Sequence, residues 1–174
     1  MGLLEAVTDP GIGKHLLRDE GEVIVDEVCK HWMAYVRPAV ESALGVVVLV
    51  ASTVVAVQVA WLFLVIAGGL LAHATWLALG AKRDRFVITN MRVFRVHGVL
   101  SSQLATMPLS RILDITVTKP LLGRMLGYGH FVFESAAQDQ GLRDIRYVGR
   151  PDERDLAIQR VVQRAGLRGP RIPN

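Results

Sequence analysis

Residues Pro38 to Ala81 read PAVESALGVVVLVASTVVAVQVAWLFLVIAGGLLAHATWLALGA, a segment with no Lys, Arg or Asp and a single acidic residue, Glu41. A helix that crosses a bilayer needs about 20 mostly apolar residues, because it rises about 1.5 Å per residue through a core about 30 Å thick. The segment is about twice that length. It therefore predicts a transmembrane hairpin that turns near the polar Val57-Gln58 pair, with helices over 38–56 and 59–80.

The charges that flank the segment predict its orientation. Lys30 and Arg37 precede the first predicted span, whereas Lys82, Arg83 and Arg85 follow the second. The central turn contains no basic residue. Because basic loops stay on the cytoplasmic side of a membrane, we expect a multi-pass protein with both termini in the cytoplasm.

The hairpin divides the chain into regions of opposite charge. We expect a juxtamembrane leader over 1–37, the hairpin over 38–81, a folded domain over 82–166 and a flexible tail over 167–174. The leader has four Lys or Arg against seven Asp or Glu, and the chain from Lys82 onward has sixteen against eight. Residues 21–32 of the leader are either a strand that docks on the downstream domain or an interfacial lead-in to the first span.

Downstream of the hairpin the pattern changes to short segments of β-branched and aromatic residues separated by turn signals. These segments are 85–89, 92–97, 103–107, 112–118, 130–134 and 144–148. Closely spaced strands of this kind pair with their neighbours in antiparallel fashion. The pattern predicts a meander that curls into a small barrel or sandwich.

The last predicted element is a helix over 152–165. It has one apolar stripe, and acidic residues fill its first turn, as the helix dipole favours. The stripe consists of Leu156, Ile158, Val161, Val162 and Ala165. Such a stripe would close an open end of the sheet, and a curled antiparallel sheet with one C-terminal helix is the plan of a pleckstrin-homology-like (PH-like) domain.

Several motifs in this order resemble those of a known family. They are Arg85–Gly98, Met107–Ile115, Leu122–Gly129 and Phe133–Ala136. Together they resemble the bacterial PH-like domain of small membrane proteins, over about Asp84 to Arg164, with Met91 as a departure from the expected polar turn residue. In that family a two-span hairpin commonly precedes the domain. The resemblance implies the bacterial inner membrane and the fold, but no activity transfers with a fold.

Five basic residues are candidate contacts for lipid headgroups or a partner: Lys82, Arg83, Arg85, Lys119 and Arg124. The first three lie beside the predicted membrane, where anionic lipids attract cations. The other two lie around a glycine-rich connection. Its glycines either permit a tight reversal, which we favour, or expose backbone N–H groups to a phosphate. Nucleic acid is excluded as a partner, because the basic residues are dispersed and no recognition helix is evident.

Two features within the hairpin suggest contacts between helices. Glu41 and His73 fall at similar predicted depths and form a candidate intramembrane pair, which we interpret as a polar tie rather than a proton-responsive site. Gly68 and Ala72 form a small-residue face that suits close packing, either within the hairpin or between copies of the chain. The second possibility predicts a homo-oligomer.

The sequence offers no catalytic constellation, no metal site and no cofactor motif. Its five histidines are scattered, and its single cysteine, Cys29, permits no internal disulfide. Ser135 and His130 are better explained as residues of one strand than as a nucleophile and base. Asp114 and Glu134 are expected to face solvent.

The sequence therefore predicts a non-catalytic inner-membrane protein, in which a two-helix anchor displays a cytoplasmic PH-like module. That module would bind lipid headgroups, another membrane protein or a second copy. The alternative is an accessory subunit of a membrane enzyme or transporter in envelope stress or lipid metabolism. An enzyme would require a concave polar site that the sequence does not indicate, and a deep pocket lined by Arg124, Glu134 and a histidine would favour this third possibility.

Overall fold

The computed structural model describes residues 11–135, 142 and 144–166. These residues form two compact units. One is helical and covers Trp32–Lys82, and the other combines the described residues up to His31 with those from Arg83 onward. The predicted tail, 167–174, lies outside the described residues.

The helical unit contains two long apolar helices, α1 (Val36–Ala51) and α2 (Val57–Arg83). Together with the preceding helical turn, α1 gives a 20-residue segment, Trp32–Ala51, and this segment and α2 are both long and apolar enough to cross a membrane. The turn between them lies earlier than the sequence suggested, and in it the hydroxyls of Ser52 and Thr53 donate hydrogen bonds to the carbonyls of Leu49 and Val50 at 2.6 and 2.8 Å. Hydroxyl side chains that bond back to the preceding turn compete with the continuing helix.

Small residues bring α1 and α2 together. A Cβ added at Gly45 would lie 3.0 Å from Cγ of Leu71, so only glycine allows this approach without a shift. Ala67 and Ala74 of α2 are also buried. Gly68, in contrast, has nothing within 4 Å of an added Cβ. In this hairpin the close contact is therefore at Gly45, and packing through Gly68 and Ala72 between copies stays a prediction.

The second unit contains two antiparallel sheets. The first has the strand order β1 (Ile24–Cys29), β2 (Arg85–Thr89), β3 (Arg92–His97) and β4 (Gln103–Pro108). The second has the order β5 (Ile112–Thr118), β6 (Tyr128–Ser135) and β7 (Asp144–Gly149). The predicted antiparallel, mainly-β architecture is confirmed. Within the described part of the chain the sheets do not close into a barrel.

The leader contributes the first strand of this unit. β1 pairs with β2 through Val28 opposite Phe86 and Cys29 opposite Arg85. The docked-strand interpretation of residues 21–32 therefore agrees with the structure. Since β1 and β2 are paired neighbours, the whole apolar helical segment is an insertion between two adjacent strands of one sheet.

A C-terminal helix, α4 (Pro151–Arg164), completes the core, as predicted. Its buried stripe packs in one cluster with side chains of both sheets, whereas Leu156 and Ala165, which were predicted to belong to the stripe, are exposed. The helical members of the cluster are Ile158, Val161 and Val162. On the opposite face of the first sheet, the leader residues Ile12 and Leu16 pack on a second cluster around Phe94. The central strands of the first sheet, β2 and β3, are thus covered on both faces.

A short helix that the sequence analysis missed, α3 (Leu121–Leu126), joins β5 to β6. Its six residues are too few for a periodic pattern to be recognised. It follows Pro120, whose fixed φ suits a helix start, and it ends at Gly127 in the left-handed conformation, with φ of 76°.

Candidate functional site

The β5–β6 connection is built so that α3 has a fixed position. A Cβ at Gly123 would lie 2.4 Å from the carbonyl oxygen of Tyr128, which is closer than atoms can approach. A Cβ at Gly129 would lie 3.0 Å from Cβ of Pro151, at the start of α4. The glycines therefore serve tight packing of the connection, which agrees with the structural interpretation of these residues.

An open cavity of about 210 Å³ lies where this connection meets the start of α4. It is lined by Lys119, Gly123, Arg124, Gly127, Pro151 and Asp152. The structure thus brings together the two downstream candidate cations. Lys119 forms an ion pair with the carboxylate of Asp152. Arg124 is exposed and has no ion pair with any described residue, so it is the free positive charge of this cavity.

Beside the cavity, α3 exposes four large apolar side chains. The exposed fractions are 79% for Leu121, 55% for Leu122, 83% for Met125 and 37% for Leu126. Gly123 is the buried residue of this helix. We call these four side chains the α3 surface. Exposed apolar side chains that cluster in this way typically mark a contact with a partner or a membrane.

The candidate cations near the apolar segment differ in availability. Arg83 donates a hydrogen bond to the carbonyl of Val99. Arg85 lies 3.3 Å from the Glu27 carboxylate on β1 and also contacts the sulfur of Cys29. Lys82, near the end of α2, is exposed and has no ion pair within the described part of the chain.

A buried carboxylate that the sequence analysis missed joins the two chain segments flanking the insertion. Asp84 lies 2.8 Å from Nζ of Lys30 and accepts two hydrogen bonds of 2.7 Å from the guanidinium of Arg95. Burial alone raises the pKa of Asp84, but Arg95 and Lys30 outweigh burial and hold it below its ordinary value. Asp84 therefore links Arg95 of β3 and Lys30 through ion pairs, and it connects the two chain segments that flank the insertion.

Comparison with known proteins places this architecture in a family. The model of the family described as bacterial PH domain matches residues 38–165, which is more than half of the chain. The chain belongs to the bacterial PH domain family.

The match covers the apolar helices and β2 to α4, whereas β1 lies upstream of the residues that define the bacterial PH domain match. Among solved structures, the chain is similar to the Vps36 N-terminal PH domain, with 12% identity and a TM-score of 0.35 over 52% of this chain and 69% of that one. No curated protein matches the chain.

In the helical part of this bacterial PH domain protein, Glu41 of α1 and His73 of α2 face one another. Oε1 of Glu41 lies 2.5 Å from Nδ1 of His73, so the two side chains share a hydrogen bond. The geometry provides a polar tie between the helices. Neither side chain has a further titratable partner among the described residues.

The bacterial PH domain brings together no catalytic group within its described residues. No three His, Cys, Asp or Glu side chains there could hold a metal ion. His130 accepts a hydrogen bond from the backbone N–H of Tyr147 at 3.1 Å, while Asp114 and Glu134 are exposed, as expected. The cavity lining includes Arg124 but neither Glu134 nor a histidine. The side chain of Ser135 lies outside the described residues.

Proposed function

We propose that this chain is a non-catalytic, membrane-anchored bacterial PH domain protein that displays a binding module at the cytoplasmic face of the inner membrane. The observation that carries the proposal is the insertion of two membrane-length apolar helices between the paired strands β1 and β2. Because β1 and β2 are hydrogen-bonded neighbours, the inserted segment must leave and return on the same side of any membrane that it crosses. An even number of spans satisfies this condition.

Membrane anchoring and orientation can be tested with the native Cys29, which is exposed. We expect the protein to resist extraction from membranes by alkaline carbonate. In right-side-out spheroplasts, a membrane-impermeant maleimide should label Cys29 only after permeabilisation. A Cys29→Ser, Val54→Cys variant should be labelled without permeabilisation, because the exposed Val54 lies in the turn between α1 and α2. Release by carbonate, or labelling of Cys29 in intact spheroplasts, would contradict the proposal.

We further propose that anionic lipid headgroups bind at two separate cations, Lys82 at the end of α2 and Arg124 of the β-rich unit. Of the five candidate cations, these two are exposed and without an ion pair among the described residues. A cation close to an anionic membrane surface contributes about 1 kcal/mol. Lys119 already neutralises Asp152, and Arg85 is paired with Glu27, so we assign them structural roles.

Native mass spectrometry of the full chain in mild detergent tests headgroup binding. We expect retained phosphatidylglycerol to decrease in the Lys82→Ala and Arg124→Ala variants and to stay unchanged in Arg160→Ala, which removes an exposed cation of α4. Equal retention in all variants would overturn the headgroup assignment. The same spectra report a second copy of the chain or a stoichiometric protein partner, which the accessory-subunit alternative requires.

A further inference from the structure

We propose that α3 is a second membrane contact of this protein, in which the α3 surface enters the boundary between headgroups and acyl chains while Arg124 stays at headgroup level. This inference rests on the proposed function, because it requires the domain to be held near a bilayer. It goes beyond headgroup binding, since the contact depends on apolar side chains. The occupant is thus the lipid bilayer itself.

The geometry of α3 supports insertion by a rigid element. Pro120 starts the helix, Gly127 ends it, and Gly123 packs against the carbonyl of Tyr128 without room for a Cβ. The backbone is therefore held against the domain while Leu121 and Met125 remain about four-fifths exposed. An apolar surface that is already ordered loses little further conformational freedom when it enters a membrane.

The residue types on α3 favour lipid over a protein partner. A stable protein interface buries about 800 Å² on each partner and draws on some 20–30 residues, and a single six-residue helix supplies far less. The apolar side chains lie on both sides of Arg124 in the sequence, and Arg124 has no ion pair with any described residue. Apolar side chains beside basic ones are the combination that binds the interface of anionic membranes.

Site-directed spin labelling of the full chain in phosphatidylglycerol-containing proteoliposomes tests the contact. In a Cys29→Ser background, the label would be attached in a Met125→Cys variant and, as a control, in a Gln163→Cys variant on the exposed side of α4. We expect the label on α3 to collide readily with oxygen and poorly with a water-soluble nickel complex, because oxygen concentrates in the acyl region. The label on α4 should show the reverse.

The charge of Arg124 provides a second measurement. We expect Arg124→Glu to increase nickel accessibility at the α3 label severalfold, whereas Arg124→Lys and the matched Arg160→Glu leave it unchanged. In vesicles of neutral phosphatidylcholine, the nickel accessibility of the α3 label should increase in the same way as in Arg124→Glu. If Arg124→Glu and Arg160→Glu changed the nickel accessibility of the α3 label equally, a specific contact of Arg124 with the headgroups would be contradicted.

Two results would overturn the inference. One is a label on α3 that is as accessible to nickel as the label on α4. The other is exclusion of both reagents together with spin–spin broadening, which would identify a second copy of the chain as the occupant. Carbonate extraction separates the two proposals: a protein that resists extraction while its α3 label lies in water retains the proposed anchor and lacks only the α3 contact.

Discussion

At the scale of single residues, Glu22 stabilises the leader most directly. Its buried carboxylate accepts hydrogen bonds from Arg92 at 2.8 and 3.0 Å, from the hydroxyl of Thr89 and from the backbone N–H of Leu17. The hydrogen bonds from Arg92 are the main cause that lowers the pKa of Glu22 to about 2. Glu22 thus fixes the leader against the β2–β3 turn.

The lowered pKa of Glu22 predicts an acid-dependent stability. Its contribution is complete above the ordinary glutamate pKa of 4.5 and is lost as the pH falls towards 2, because the unfolded chain then binds the proton more readily. We expect Glu22→Gln to lower the free energy of unfolding by about 2–3 kcal/mol at pH 7 and less at pH 3. Denaturant unfolding of the detergent-solubilised protein measures this difference. The matched change Asp19→Asn, at an exposed position, should have little effect; a pH-independent loss in Glu22→Gln would contradict the assignment.

Asp84 gives a second prediction at this scale. Asp84→Asn leaves the charges of Lys30 and Arg95 without their shared carboxylate, and breaking such a buried pair costs about 3–5 kcal/mol. We expect faster hydrogen exchange in β1, β2 and β3 of this variant. Asp114→Asn, which changes an exposed carboxylate of β5, is the control. Equal exchange in both variants would show that Asp84 is dispensable.

At the scale of elements, α3 depends on Gly123. A methyl group there meets the carbonyl of Tyr128 at 2.4 Å, and backbone cannot move away as a flexible side chain can. We expect Gly123→Ala to lower the unfolding free energy by about 1–3 kcal/mol and to increase hydrogen exchange in α3. Gly69→Ala, where the added methyl group has open space, is the matched control. Unchanged exchange in Gly123→Ala would mean that α3 can shift without cost.

The elements differ in how far sequence predicts them. β2, β3 and α4 carry patterns of β-branched or periodic apolar residues over their whole length, and they were predicted close to their observed positions. The sequence analysis missed α3 because Leu121–Leu126 is too short to show a periodic apolar pattern. Its position depends instead on Pro120 at its start and on the packing of Gly123. The sequence did not decide between a strand and an interfacial segment for residues 21–32, because the pairing strand, β2, follows only after the apolar segment.

At the scale of the whole molecule, sequence predicts the division into apolar helices and a β-rich domain, but not the polar contacts that join distant segments. Glu22 with Arg92, and Asp84 with Lys30, are brought together by the pairing of β1 with β2 and of β2 with β3. The charged residues are scattered along the sequence, so the sequence alone does not indicate which of them form ion pairs. The candidate cations are likewise divided into paired and free ones only by the fold.

The insertion of the apolar helices between β1 and β2 has a consequence for biosynthesis. β1 leaves the ribosome first, yet its partner strand is made only after both helices, so the sheet cannot be completed until they have been synthesised. Until that moment the edge of β1 has no neighbour, and an open edge invites pairing with other chains. If the helices enter a membrane as we propose, slower insertion should therefore increase aggregation of the β-rich unit, and faster targeting to the membrane should reduce it.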